Sequence, residues 1–118
     1  MKPTTRAVIA YIAARHVTGQ GTSSIYDASQ GGYVMITGSF GAEQVSIHDH
    51  QDRCQITGTR HGGRYDLHHQ GNDAAIVIEF DGPQFRGVEH ASGSAFHGVV
   101  EGRQITLHVG GEKFDYSL

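Results

Sequence analysis

Residues 7–14 read Ala-Val-Ile-Ala-Tyr-Ile-Ala-Ala, and the only polar group in this run is one tyrosine hydroxyl. A helix that is apolar on every side must be buried on every side. The alanines favour helix over the strand that the β-branched residues would favour. We therefore predict a helix from about Thr5 to His16, capped by Thr4 or Thr5 and ended by Gly19, with the rest of the chain covering it.

The flanks of this run resemble the start of a signal peptide, because Lys2 and Arg6 precede it,. The run ends at Arg15 without a typical cleavage site, so we expect no export by this route. No other stretch is long enough to span a bilayer. Cys54 is the only cysteine, which excludes an internal disulfide and fits a reducing compartment, and we expect a cytoplasmic protein,.

The length and composition predict one domain over residues 1–118, with a helix and linker in 1–22 and β-structure in 23–118. The chain is 37% hydrophobic and 18% charged, and its 17 glycines suit many tight turns,. A net charge of -3 leaves no basic surface for phosphate backbones or anionic lipids,. We therefore expect neither nucleic acid nor a membrane as a partner.

The chain after residue 22 repeats with a period of 20 residues,. One apolar column of the repeat consists of Ile36, Ile56, Ile76, Phe96 and Tyr116. A second apolar column consists of Val45, Tyr65, Phe85 and Ile105. No insertion interrupts the period, although the first unit fits better with a slip of two residues. Such a regular period indicates one structural unit used five times.

Each repeat unit is predicted to be an antiparallel hairpin, because apolar residues alternate with polar ones in two runs. Pairing Ile47 with Ile56 keeps the apolar faces together and leaves the loop 50–53. The same arithmetic gives the loops 28–31, 70–73, 90–93 and 110–113. The predicted strands are 24–28, 33–38, 44–49, 54–59, 64–69, 74–80, 84–89, 94–100, 104–109 and 113–118.

These hairpins predict a mainly β fold, a ten-stranded antiparallel up-and-down meander that closes into a barrel-like sheet. A ten-stranded barrel is too wide for its own side chains to fill, and the N-terminal helix could pack in it or against it. A dozen helical residues span ~18 Å, which is close to the ~20 Å of a six-residue strand. The alternatives are a five-coil β-solenoid with a helical cap and a β-sandwich.

Four ionisable residues occupy corresponding inward positions next to the predicted loops: Asp27, Asp49, His69 and Glu89. Ionisable groups that converge at a barrel mouth can bind a cation or a polar ligand. An acid directly before a turn also caps the amides of that turn. Both interpretations are open at this point, and a ligand-binding role for these four residues is a hypothesis.

A second candidate is the His-x-His pattern of His48 and His50, which places two imidazoles close together and recurs in metal sites,. The pattern resembles the first motif of the cupins, which are also small β-barrels. That resemblance implies a divalent metal, but the glutamate of the motif is missing and Asp52 stands near its place. A metal held by this pair is therefore a hypothesis, and no other cofactor is predicted.

A third candidate is the aromatic pair Tyr26 and Tyr33, predicted on the outer face of the first hairpin with Met35 close by. Exposed aromatic side chains of this kind can contact a protein or a sugar. No nucleophile elbow, phosphate loop or dinucleotide fingerprint is present. We therefore predict a non-catalytic binding or interaction module for a protein, glycan or small ligand. The alternative is a metal-dependent or acid-base enzyme that uses the four inward ionisable residues.

Overall fold

The computed structural model describes all of residues 1–118 and contains one helix followed by ten strands. The helix, α1, is Pro3–Thr18. The strands are β1 (Ser24–Asp27), β2 (Gly32–Phe40), β3 (Gln44–Asp49), β4 (Cys54–His61), β5 (Arg64–His69), β6 (Ala74–Asp81), β7 (Gln84–Glu89), β8 (Ser94–Glu101), β9 (Gln104–Val109) and β10 (Glu112–Ser117).

The ten strands form a closed barrel in which each strand pairs antiparallel with its neighbours in sequence, and β1 pairs with β10 to complete the circle. This confirms the predicted meander and excludes both stacked coils and a sandwich. Ile47 pairs with Ile56, as the predicted register requires. The slip in the first hairpin is also confirmed, since Asp27 pairs with Gly32 across residues 28–31.

The two ends of the barrel differ in the length of most of their connections. We call one the loop end, formed by residues 28–31, 50–53, 70–73, 90–93 and 110–111. We call the other the turn end, formed by residues 41–43, 62–63, 82–83 and 102–103. Each odd-numbered strand therefore runs toward the loop end, and each even-numbered strand runs back to the turn end.

Helix α1 fills the barrel as its central core. Every residue from Ala7 to Ala14 is at most 1% exposed. In the first turn, the Thr4 hydroxyl hydrogen bonds to the Asp52 carboxylate at the loop end. In the last turn, the His16 ring is bonded to Tyr65 at the turn end. The helix therefore enters at the loop end and points its C-terminus toward the turn end.

The start of α1 differs from the prediction. The helix begins at Pro3, its N-cap is Lys2, and no side chain caps it. Proline suits the first helical position because it lacks an amide hydrogen that would be unbonded there. The predicted threonine cap is therefore wrong, and Thr4 and Thr5 lie inside the first turn. The helix runs to Thr18, two residues past the predicted His16. Gly19 ends it as predicted, because it adopts a left-handed conformation and its amide donates to the Arg15 carbonyl.

The last hairpin is also shorter than predicted. Its connection is the two residues Gly110 and Gly111 instead of residues 110–113, and β10 begins at Glu112. Both glycines have positive φ, at 58° and 84°. A two-residue turn of this kind requires positive φ at both positions, which glycine adopts without strain.

Glycines at four inward positions let the wall bend where it closes: Gly38, Gly58, Gly87 and Gly98. A Cβ atom at Gly98 would collide with the Thr106 carbonyl oxygen on β9 and with the Phe85 ring. Bends at such positions allow a twisted sheet to close into a barrel. The predicted strands contained these glycines, but the sequence analysis did not identify their role.

Helix α1 lacks the length and hydropathy that a membrane span requires.

Candidate functional site

The four inward ionisable residues all lie at the loop end, each as the last residue of an odd-numbered strand. Asp27 and Asp49 are fully buried, Glu89 is 2% exposed and His69 is 3% exposed. Ionisable side chains that are buried to this degree need hydrogen-bond partners. We refer to these four residues as the loop-end ring.

Each acid of the loop-end ring accepts hydrogen bonds from the loop that follows it. Asp27 Oδ1 accepts from the Ser29 amide at 3.0 Å and from the Ser29 hydroxyl at 2.6 Å. Asp49 Oδ1 accepts from the Gln51 amide at 2.9 Å. These bonds satisfy loop amides that the hairpin leaves free, as in other Asx-type turns.

His69 and Glu89 cap their loops in the same way. The Asn72 amide donates to His69 Nδ1 at 3.2 Å, and the Ser92 amide donates to Glu89 Oε1 at 2.6 Å. Because Nδ1 accepts this bond, the His69 ring is neutral with its proton on Nε2. The turn-capping interpretation of the ring therefore has a hydrogen bond at every position, whereas its ligand-binding role stays a prediction.

The loop-end ring lies inside the barrel, at the end where α1 begins. A helix N-terminus carries roughly half a positive elementary charge, which acidic side chains stabilise. One oxygen of each ring acid caps its loop, while Asp27 Oδ2 and Asp49 Oδ2 are buried without a hydrogen-bond partner. The positive end of the helix dipole is thus electrostatically favourable for Asp27 and Asp49, each of which has one oxygen without a hydrogen bond,.

Two groups at this end have shifted pKa values. Burial lowers the pKa of His69, and the charge of Lys2 lowers it further, while the charges of Asp49 and Glu89 raise it. Burial raises the pKa of Tyr116 to about 12, and the nearby charge of Asp27 acts in the same direction. The loop end therefore holds a neutral imidazole and a neutral phenol at pH 7.

The ring residues bond to separate loops, and no group of three or more histidine, cysteine, aspartate and glutamate side chains in this chain is arranged to hold a metal ion. Cys54 lies beside the ring, opposite Asp49, as a free thiol that donates weakly to the Asp52 carbonyl. The ring is consequently a set of four similar turn caps at one level of the barrel.

His48 and His50 are brought together on the outside of the barrel, with their ring centroids 4.4 Å apart. His48 Nδ1 is 2.8 Å from the Gln55 amide nitrogen, and His50 Nε2 is 2.7 Å from the Thr37 hydroxyl. One nitrogen of each ring is thus already bonded to a neutral side chain. The remaining nitrogens offer two ligands, whereas a zinc site takes three or four from the protein.

Tyr26 and Tyr33 form a direct cross-strand pair on the outer face of β1 and β2. Their rings meet edge to face with centroids 5.1 Å apart. Tyr33 is 71% exposed, and Met35, two residues further on the same face, is 56% exposed. We call Tyr26, Tyr33 and Met35 the tyrosine patch.

The sequence analysis missed a cluster at the turn end, where cationic and aromatic side chains surround the C-terminus of α1. The signal was available in the repeat, because one inward column reads Phe40, Arg60, Phe80 and Val100. A single arginine among hydrophobic residues in an inward column marks a position with its own function or contact. The structure shows the Arg60 guanidinium over the Tyr65 ring, 5.2 Å from its centroid.

Comparisons with protein-family models, with curated proteins and with solved structures return no match for this chain. The groups in this chain that could act on another molecule are the loop-end ring, the tyrosine patch and the cluster at the turn end.

Proposed function

We propose that this chain is a non-catalytic interaction module that binds another protein through the tyrosine patch. The observation that carries the proposal is that Tyr33 and Met35, the two large hydrophobic side chains with the greatest exposure, stand next to each other on one face. Scattered exposed hydrophobic residues need no explanation, whereas a contiguous group marks an interaction site.

The surroundings of the patch favour a protein partner over a sugar or a small ligand. The cross-strand partners of the patch are Ser24, opposite Met35, and Ser117, opposite Tyr26, so its border is polar and uncharged. Protein interfaces are enriched in tyrosine and methionine and depleted of charge at their centres. Tyrosine is also among the residues that contribute most binding energy.

The core of the barrel supports a non-catalytic role. Helix α1 occupies the space that a lumen ligand would need, and the acids of the loop-end ring bond to their own loops. The unpaired thiol of Cys54 supports a reducing compartment, and we propose the cytoplasm,. The alternative, a metal-dependent or acid-base enzyme at the ring, is favoured only by the unbonded oxygens of Asp27 and Asp49.

The proposal can be tested by selecting binders from a library of peptides displayed on phage, with the intact chain as the target. The variant combines Tyr33→Ser with Met35→Ser. The matched control combines Val77→Ser with Val88→Ser, an outward cross-strand pair on β6 and β7 at the opposite side of the barrel. Both double variants remove two exposed or half-buried hydrophobic residues from strand surfaces.

We expect the selected peptides to lose at least about tenfold in affinity on the patch variant, which corresponds to about 1.4 kcal/mol, and to bind the control as they bind the wild type. Amide chemical shifts should change on β1 and β2 when a peptide binds. Peptides that bind both double variants equally, or shifts confined to another face, would contradict the proposal. Binding of neutral oligosaccharides to the patch would instead identify a glycan-binding module.

A further inference from the structure

Three cationic or basic side chains meet at the turn end. Arg15 and His16 lie in the last turn of α1, and Arg60 projects from β4. The Arg15 guanidinium lies 4.8 Å from the centroid of the Phe40 ring. The centroids of Phe40 and Tyr65 are 6.3 Å apart, and the Arg60 guanidinium lies over the Tyr65 ring. Phe40 and Tyr65 therefore form an aromatic floor in which each ring contacts one of the two guanidinium groups.

Arg60 differs from a surface arginine in its position and burial. It occupies an inward column, it is half-buried, and its Nε is buried without a hydrogen-bond partner. A buried polar group without a partner costs about 1–3 kcal/mol in general. Arg60 is therefore a donor with no side-chain hydrogen bond within the chain.

The two arginines of this cluster have no ion-pair partner. Arg64 pairs with Asp66 and Glu79, whereas neither Arg15 nor Arg60 forms an ion pair. The C-terminus of α1 contributes only roughly half a negative elementary charge. Glu43 lies next to Arg60, whose amide donates to its carbonyl, yet no carboxylate at this end forms an ion pair with either arginine.

His16 completes the cluster as a neutral hydrogen-bonding group. Its Nδ1 is 2.7 Å from the Tyr65 hydroxyl, and its ring stacks on Phe80 with centroids 4.0 Å apart. Burial lowers the pKa of His16, and the positive charge of Arg60 lowers it further. An anion beside these groups would oppose the effect of Arg60 and let His16 take up a proton.

We propose that the turn end binds a phosphate-type oxyanion through Arg60 and Arg15, with His16 as a third partner. The planar guanidinium donors of arginine match the geometry of phosphate oxygens. The aromatic floor lowers the local dielectric and strengthens these charge interactions. This inference does not depend on the tyrosine patch, which belongs to β1 and β2.

The test is a calorimetric titration of the intact chain with inorganic pyrophosphate, using Arg60→Gln as the variant. Arg86→Gln is the matched control, because Arg86 is an exposed strand arginine with only a 3.9 Å contact to Glu79. We expect Arg60→Gln to weaken pyrophosphate binding at least about tenfold and Arg86→Gln to leave it unchanged. An NMR titration should show the pKa of His16 rising by about 1 when pyrophosphate is present.

Several outcomes would overturn the proposal. The first is an equal pyrophosphate affinity of the wild type and Arg60→Gln. The second is a pKa of His16 that does not change when pyrophosphate is added, and the third is binding of citrate without binding of pyrophosphate. If Arg60→Gln fails to fold, Arg60→Lys keeps the charge but loses the planar donors, and we expect its pyrophosphate affinity to fall several-fold. An unchanged affinity in that folded variant would contradict the assignment equally well.

Discussion

The two ends of the barrel differ in the charge of the side chains that surround the ends of α1. At the loop end, three buried acids and a neutral histidine surround the positive N-terminus of α1. At the turn end, Arg15 and His16 accompany its negative C-terminus, and Arg60 adds a cation from the wall. Charges of the correct sign at both ends favour one direction of the helix over the reverse.

The ends also differ in how completely their polar groups are bonded. Every member of the loop-end ring accepts at least one loop amide, so that end has a structural explanation. Arg60 at the turn end has a buried Nε without an acceptor. Asp27 and Asp49 also keep one oxygen each without a partner, but their other oxygen caps a loop, whereas the Arg60 side chain makes no hydrogen bond at all.

The largest effect that separates the ends is expected from Asp49→Ala. It removes the acceptor for the loop 50–53 and one negative charge near the start of α1. We expect a loss of about 2 kcal/mol in the free energy of unfolding, measured with urea. Asp49→Asn keeps an acceptor oxygen and should lose about 1 kcal/mol less. The exposed control Asp81→Ala, which removes no ion pair, should change stability by less than about 0.5 kcal/mol,. Equal stability of Asp49→Ala and wild type would contradict the capping role.

A smaller effect is expected from pH, because His69 at the loop end and His16 at the turn end both have lowered pKa values in the folded state. The unfolded chain then binds more protons as the pH falls below about 6.5, so the folded state loses stability there. Their contribution is complete above pH 6.5. Unfolding measured from pH 7 to pH 5 should show this decline.

The pH dependence can be assigned to the ends by two substitutions. His69→Asp supplies the acceptor that the repeat uses at positions 27 and 49, and it should flatten part of the decline between pH 7 and pH 5,. His16→Gln should flatten the other part. A decline that neither substitution alters would show that groups outside the two ends are responsible.

The smallest expected effect concerns divalent metals. Melting in the presence of zinc, manganese or calcium tests both the ring and the pair His48 and His50. Because the ring bonds to its own loops, we expect the melting temperature to change by less than about 1 °C at metal concentrations near 100 μM, since an ion that does not bind the folded state adds no stability. A clear rise that Asp27→Asn abolishes would support the metal-dependent alternative. A rise abolished by His50→Gln would place the metal on the outer pair.

The sequence was sufficient for the topology because its period of 20 residues fixes both register and loop length. The pairing of Ile47 with Ile56 follows from alternation alone,. The end of the fifth hairpin could not be predicted in this way, since two glycines with positive φ replace the longer loop of the other units. Local turn chemistry therefore overrode the repeat.

The candidate site was less predictable than the fold. Alternation placed the loop-end ring inside the barrel, but only the structure shows that each residue bonds to its own loop. The place of Arg60 beside the end of α1 could not be predicted from the sequence. The contacts of His16 with Tyr65 and Arg60 join residues more than 40 positions apart. Such contacts depend on how the barrel closes, which no local pattern describes.

Residues 7–14 form the buried core around which the barrel closes. The most direct test is Ala10→Lys, since Ala10 is fully buried, with Gln20→Lys in the exposed linker as the control. A charge buried without a partner is costly enough to unfold a domain of this size. We predict that Ala10→Lys loses cooperative thermal unfolding, while Gln20→Lys melts like the wild type. An Ala10→Lys protein with a wild-type melting curve would show that the helix lies outside the barrel.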